Sequence, residues 1–276
     1  MRFRVGCELT YDIAEPSSFL FNVHPARLEQ QRVRDERLTV DPPAACADYV
    51  MPESGNRYIR FTAAPGPLRV ELAATVELEP TRREPAAIPA TPVDALPFEV
   101  LPHLHPSRYC QADRLPRLAA QEFGELPAGH EQVTAVCNWI YDHVAYVRGS
   151  TDVHTSAGDT LVERAGVCRD FAHLGIALCR ALNIPARFVS AYAFRLEPAD
   201  FHAVFEAWLD GRWWLFDPTR QAALDGLVRI GVGRDAAEVA FATIHGAAEP
   251  TGMVVTMAPV GPEPEDRRTV NAVSFM

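Results

Sequence analysis

The sequence lacks most features that assign a chain to a class at sight. It has no basic excess: 26 basic residues stand against 36 acidic ones, a formal charge of -10. Nothing neutralises a phosphate backbone, so no nucleic-acid partner is expected. No apolar run approaches the roughly twenty residues that span a bilayer. The opening MRFRVGCELTYDI has no apolar segment of the secretory kind. No membrane partner is expected, and a cytoplasmic location is. The six cysteines, Cys7, Cys46, Cys110, Cys137, Cys168 and Cys179, form no C-x-x-C pair. The usual zinc-knuckle and redox patterns are therefore missing. There is no internal repeat and no low-complexity tract. What remains is ordinary for a globular chain of 276 residues, 48% hydrophobic and 22% charged. That is enough to bury a core without disulfide or metal staples.

The first eighty residues read as strands. Phe3, Val5, Cys7, Leu9 and Tyr11 alternate with polar neighbours, a period of two. FLFNVHP, the segment around Gln31–Val40, ADYVMP, NRYIRFTAA and LRVELAATVELE repeat the pattern between turn residues. An antiparallel β-sandwich over residues 1–80 is expected. Prolines recur from Pro80 to Pro106, too densely for helix or central strand, so 81–106 reads as a linker. A second, α+β unit is expected over 107–260, with a C-terminal tail over 261–276 whose Gly261–Arg268 stretch is polar and expected to be mobile. Within the second unit, Pro116–Phe123, Glu131–Tyr146 and Val167–Leu182 read as helices. Arg187–Phe194, Phe201–Leu209 and Arg212–Phe216 read as strands, and Glu238–Ala258 as a helical turn and a final strand.

Two segments carry chemistry. In ERAGVCRDFAHLGIALCRALNIPARFV, the apolar Phe171, Leu174, Leu178 and Leu182 fall at helical spacing, and Asn183 and Pro185 end the helix. Cys168 then lies in the first turn, where unpaired N–H groups and the helix dipole favour a thiolate. A cysteine nucleophile needs that environment. Taken alone, Cys168 reads more readily as a small core residue. Cys179, three turns further on, reads as core.

In DFHAVFEAWLDGRWWLFDPTR, Asp210-Gly211 is a strong two-residue hairpin turn. Pairing Leu209 with Arg212 puts His202, Val204, Glu206, Trp208, Trp213, Leu215 and Asp217 on one face. His202 and Asp217 become diagonal neighbours, roughly 7–8 Å apart at Cβ and within reach of a hydrogen bond. A one-residue slip would separate them. Taken alone, this reads equally as a surface His–Asp pair without a role. A helix-start thiol followed by a strand histidine and a strand acid is the chain order of papain-like sites.

Gly166-Val167-Cys168-Arg169-Asp170-Phe171-Ala172, Leu182-Asn183-Ile184-Pro185-Ala186-Arg187, Phe201-His202-Ala203 and Trp214-Leu215-Phe216-Asp217-Pro218-Thr219 together resemble the core of the transglutaminase-like superfamily. The strand-rich N-terminus resembles bacterial members with an extra N-terminal domain. The resemblance implies an α+β, papain-like core beside an N-terminal antiparallel β-sandwich. It implies Cys168, His202 and Asp217 as a catalytic triad acting on a peptide or protein amide through a thioester, as a cysteine protease or amidase, with no cofactor, metal or calcium. An amine-accepting glutamine crosslinker and a non-enzymatic binding module are the alternatives, and the oligomeric state is open. Eukaryotic crosslinkers of the family use an upstream tryptophan as an oxyanion donor. The only upstream tryptophan here is Trp139, in a pattern that suits plain core.

Other candidates carry simpler readings. His103 and His105, near Cys110, lack further ligands for a metal. His173 reads as a polar helix residue, and Glu206 as a salt-bridge former or a second acid. Asp170 and Glu163 could tune the site or only cap helices. Trp208 and Trp213 form an opposed pair that lines a cleft or packs a sheet. The loop Gly149–Thr155 is a candidate rim.

Overall fold

The computed structural model describes residues 1–262 and 270–276. The alternating N-terminal pattern becomes β1 (Arg2–Ile13), β2 (Ser17–Phe21), β3 (Gln31–Asp41), β4 (Ala47–Val50), β5 (Arg57–Ala63) and β6 (Gly66–Leu78). After β7 (Thr81–Arg83) come α1 (Pro116–Phe123), α2 (His130–His143), β8 (Ala145–Tyr146), α3 (Ala157–Glu163), β9 (Ala165–Gly166) and α4 (Cys168–Ala181). Then follow β10 (Ala186–Ala193), β11 (Phe201–Leu209), β12 (Arg212–Phe216), β13 (Leu227–Gly233), β14 (Ala242–His245), β15 (Ala248–Pro259) and β16 (Ala272–Ser274). No helix among the described residues is long and apolar enough to cross a membrane.

Two four-stranded sheets, ordered β15-β1-β6-β3 and β14-β2-β5-β4, make an antiparallel β unit. The period of two buries Phe3, Val5, Cys7, Leu9, Tyr11 and Ile13 on one side of β1. Tyr11 meets Phe19 across the sheets, ring centroids 5.4 Å apart, and Phe19, Phe21 and Phe61 stack beside it. Burying each such ring stabilises the fold by roughly 1.5–3 kcal/mol relative to exposure.

Two of these strands correct the boundaries read from the sequence. β15 pairs with β1 from Phe3↔Pro259 to Ile13↔Ala248, and β14 pairs with β2. Residues 242–259 therefore belong to the sandwich rather than to the unit expected over 107–260. The edges of β1 and β2 offer unpaired N–H and C=O groups, which the returning chain satisfies. Pairing across such separations has no local signature.

The proline-rich stretch is a strap rather than a free linker. Its β7 pairs with β16, which brings the buried Val273 and Phe275 of the expected tail into the fold. The expectation for Gly261–Arg268 lies, from residue 263 on, outside the described residues. Further along the strap, Leu96 and Val100 pack on Trp213. Buried Arg180 of α4 donates to the carbonyls of His105 (2.9 Å), Ala186 (2.8 Å) and Arg234 (2.6 Å), tying strap, helix and sheet together.

The central sheet runs β12-β11-β10-β13. The Asp210-Gly211 turn has φ of 49° and 74°, as a two-residue hairpin requires. The pairs run from Leu209↔Arg212 to Phe205↔Phe216, in the register read from the sequence. Ala203, Phe205, Ala207, Trp214 and Phe216 pack with residues of α1, α2 and α4. On the other side, Val204, Leu215, Val189 and Ile230 join the core of the sandwich. Both faces of the hairpin are thus covered. Short, capped α3 and glycine-containing β13 escaped the sequence reading, because neither shows a periodic pattern long enough to register.

The approach of α4 to β11 depends on Gly175. A Cβ there would stand 2.6 Å from Phe205, whose ring is fully buried and stacked on Phe216. Gly175→Ala gains about 1 kcal/mol of helix propensity but meets an overpacking cost of about 1–3 kcal/mol. Net destabilisation of about 1 kcal/mol is expected, read as a lower urea midpoint at unchanged m-value.

Candidate active site

Three separate elements deliver the three side chains. Cys168 is the first residue of α4, preceded by Val167 in an extended conformation. The Asp170 carboxylate closes that end by accepting the Val167 N–H at 2.9 Å and the Thr151 hydroxyl at 2.7 Å. Gly166 is needed because a Cβ there would lie 2.8 Å from that of Asp170. Arg169 reaches back to the Asp152 carbonyl at 2.6 Å. The loop 149–155 is therefore anchored to the start of the helix, and Cys168 is left partly exposed.

His202 enters near the start of β11, only 1% exposed. Its Nε2 lies 2.9 Å from Asp217 Oδ2. Asp217 follows the end of β12. Its Oδ1 accepts the Thr219 N–H at 2.9 Å and the Thr219 hydroxyl at 2.6 Å. The Asp-Pro-Thr turn so aims the carboxylate at the imidazole. The second ring nitrogen, Nδ1, is buried and has no hydrogen-bond partner among the described residues. With Nε2 engaged by Asp217, Nδ1 is the atom left to serve Cys168, which lies near enough to the ring to help raise its pKa. The structure thus brings Cys168, His202 and Asp217 into one contiguous group.

Burial by itself would push the His202 pKa down. The charge and hydrogen bond of Asp217, with a smaller contribution from Cys168, override it and raise the value to about 10. Burial would likewise raise Asp217. The His202 charge and the two bonds from Thr219 hold it below the usual carboxylate range instead. The arrangement favours an imidazolium clamped to a carboxylate beside a thiol.

The core matches the model of the transglutaminase-like superfamily over residues 117–218. Residues 1–83 match that of the bacterial transglutaminase N-terminal domain. A solved structure from Cytophaga hutchinsonii, provisionally named a cysteine protease, is 44% identical. It superposes with a TM-score of 0.93 over 100% of this chain and 98% of that one. Protein Rv2569c of Mycobacterium tuberculosis is 30% identical over 269 residues, 86% of this chain and 85% of its own length. Protein ML0607 of Mycobacterium leprae is 32% identical over 146 residues, 50% of this chain, and the match spans about half of that protein, 52%. The chain belongs to the transglutaminase-like superfamily.

Other candidates take structural places in this transglutaminase-like fold. Glu206 is fully buried and paired with Arg187 at 2.7 Å and Arg229 at 3.5 Å, so it is not a second acid at Cys168. His173 stacks on Tyr109 and accepts the Ala236 N–H at 3.1 Å. Cys179 is fully buried. Trp208 and Trp213 meet edge to face at 5.3 Å beneath the strap, with His103 against Trp213. They line no cleft. Among the described residues no group of three or more metal-binding side chains occurs. Trp139 stacks on His143 and abuts Phe123. A cavity of about 490 Å³ borders Asp217 between α2 and the turn after β12, lined also by His130, Asn138 and Arg220, and does not reach Cys168.

One neighbour escaped the sequence reading. Tyr146, placed there at the end of a helix, forms β8 and pairs in parallel with Gly166 of β9. Burial, with a smaller effect of the neighbouring Cys168, pushes its phenol pKa up to about 12. Nothing in the local sequence signals such a pairing.

The linkage has a definite sign. The His202 contribution is fully present below its unfolded value near 6.5 and is lost as pH rises through about 10. The Asp217 contribution is present above its unfolded value of 3.8 and is lost as pH falls through its depressed one. Asp217→Asn should lower the His202 pKa by about a unit or more, measured by NMR titration of the ring. An unchanged pKa would contradict the charge coupling.

Proposed function

We propose that this transglutaminase-like protein is a thiol-dependent hydrolase of peptide or side-chain amide bonds, with Cys168 as nucleophile, His202 as acid and base, and Asp217 as the group that orients the histidine. The observation that carries this reading is one imidazole hydrogen-bonded to a buried carboxylate and electrostatically coupled to a helix-start thiol. The naming of the Cytophaga hutchinsonii relative points the same way.

In this mechanism the Cys168 proton rests on His202, forming a thiolate–imidazolium pair. The raised His202 pKa keeps the ring protonated at neutral pH. The thiolate attacks the amide carbon, a C–S bond forms, and the carbonyl π pair moves to oxygen. The Cys168 N–H, in the first turn of α4 and without an intrahelical partner, is the donor to that oxyanion. Collapse breaks the C–N bond as His202 protonates the leaving amine. His202 then takes a proton from the water that opens the thioester. Asp217 holds the ring tautomer throughout.

A screen of peptide-amide substrates should find turnover that Cys168→Ala removes by about 10³-fold or more while circular dichroism stays unchanged. Full activity in the alanine variant would overturn the mechanism. Mass spectrometry of a glutamine peptide with an added primary amine separates the acceptors: hydrolysis adds water, crosslinking adds the amine. The basic residues are all arginine, so no lysine of the protein competes as acceptor. A thiol probe that fails to label Cys168 above the other cysteines would favour a binding module.

A further inference from the structure

The turn that carries Asp217 is held from outside the triad. Asp217, Arg220 and Ala222 border the cavity of about 490 Å³ that separates this turn from α2. The helix therefore does not pack directly behind the acid. Within the turn, Arg220 N–H donates to the Asp217 carbonyl at 3.2 Å. Gln221 N–H donates to the Thr219 hydroxyl at 3.2 Å and Ala222 N–H to Asp217 Oδ2 at 3.3 Å. These last two bonds require the chain to fold back at Arg220, whose φ is 56°. A residue with a Cβ resists that left-handed conformation, and it persists where the surroundings impose it. Here α2 imposes it. Arg220 Nη2 donates to Asn138 Oδ1 at 2.7 Å, and the guanidinium lies over the Tyr141 ring, 4.0 Å from its centroid. Asn138 and Tyr141 stand three residues apart on α2 and share a face. Just before the acid, Phe216 meets His130 of the same helix, centroids 4.6 Å apart. α2 is itself fixed by buried Val133, Val136 and Ile140. One anchored helix thus grips the chain on both sides of Asp217.

We infer that Arg220 is a positioning residue: its clamp on Asn138 and Tyr141 sets the place of Asp217 against His202. The side chain is exposed and takes no part in bond making. It acts by fixing the fold-back. The fold-back delivers the Ala222 N–H to the same carboxylate oxygen that meets Nε2. It also delivers the Gln221 N–H to Thr219. A backbone N–H can only donate, so the Thr219 oxygen accepts it and keeps its own hydrogen for Asp217 Oδ1. The bonds from Thr219 and Ala222 are then all ones the carboxylate accepts, and such bonds favour its ionised form. With the clamp released, the turn relaxes at Arg220 and the His202–Asp217 bond loosens. The imidazolium loses part of its support, and the ring loses part of its orientation. A misplacement of about 1 Å in such a group can cost on the order of 10²-fold in rate.

The consequence for catalysis rests on the acyl-transfer reading, and two measurements keep the clamp and that reading apart. NMR titration of the His202 ring reads the clamp without turnover. The ring pKa, raised to about 10 in the parent, is expected to fall by about half a unit or more in Arg220→Ala. It should fall in Asn138→Ala too, with the double variant no worse than Arg220→Ala alone. Arg220→Lys, which keeps a cation and a donor, should restore it. An unchanged pKa in Arg220→Ala would overturn the assignment, as would additive effects of the two alanines. Full recovery in Arg220→Gly would overturn it as well, because glycine adopts φ 56° freely and needs no clamp. The chemistry is read with p-nitrophenyl acetate. The thiolate forms a C–S bond as p-nitrophenolate leaves, and water then opens the thioester with His202 as base. Mass spectrometry of the Cys168 peptide follows that second step, which Arg220→Ala is expected to slow about fivefold or more. Alkylation by iodoacetamide, which needs only the thiolate, should stay within about twofold of the parent. Thioester opening within twofold of the parent, or an equal fall in alkylation, would overturn the role. Failure of the parent to acylate at Cys168 faster than at exposed Cys46 would instead sink the acyl-transfer reading, and the ring titration would still decide the clamp.

Discussion

An imidazole and a carboxylate buried together, 2.9 Å apart, are the constraint around which the second half of the chain is arranged. Either charge taken out of water alone would cost several kcal/mol. Here each removes the other's penalty, and Thr219 supplies the remaining bonds to the acid. The ring is committed through Nε2 and has only Nδ1 left to offer. Whatever function the site performs, that commitment points the imidazole at the start of α4.

The rest of the fold keeps the geometry. α4 approaches β11 at the distance allowed by Gly175, and its start is closed by Asp170 over Gly166. The side of the hairpin away from α4 rests on the sandwich through Val204 and Leu215. The strap covers Trp213 and is tied to the helix through Arg180. A sheet buried on both faces cannot shift its register without exposing apolar side chains. This is the physical reason an extra β domain bears on the site without contributing a reacting group.

Three other charged or nucleophilic groups near this sheet belong to structure. Glu206 is paired with two arginines, His173 takes a backbone N–H and an aromatic stack, and Cys179 is buried in the core. Chemistry-bearing residue types cluster here because a polar group buried in a core needs a partner, and partners come from the same set of side chains that catalyse.

Local pattern determined much of this protein. Period-two alternation, the Asp210-Gly211 turn and the helical spacing after Cys168 each act over a few residues, where sterics and side-chain direction decide the outcome. They were enough to read the six strands of the N-terminal unit, the His202–Asp217 hairpin in register, and the helix that begins at Cys168. Tertiary structure alone decided what depends on distant parts of the chain. β15 closes a sheet begun at Arg2, the strap covers Trp213, and Tyr146 pairs with Gly166 in a two-residue parallel ladder. Such contacts are chosen by which edges and faces remain to be covered once the local elements exist, and no short stretch of sequence encodes that choice.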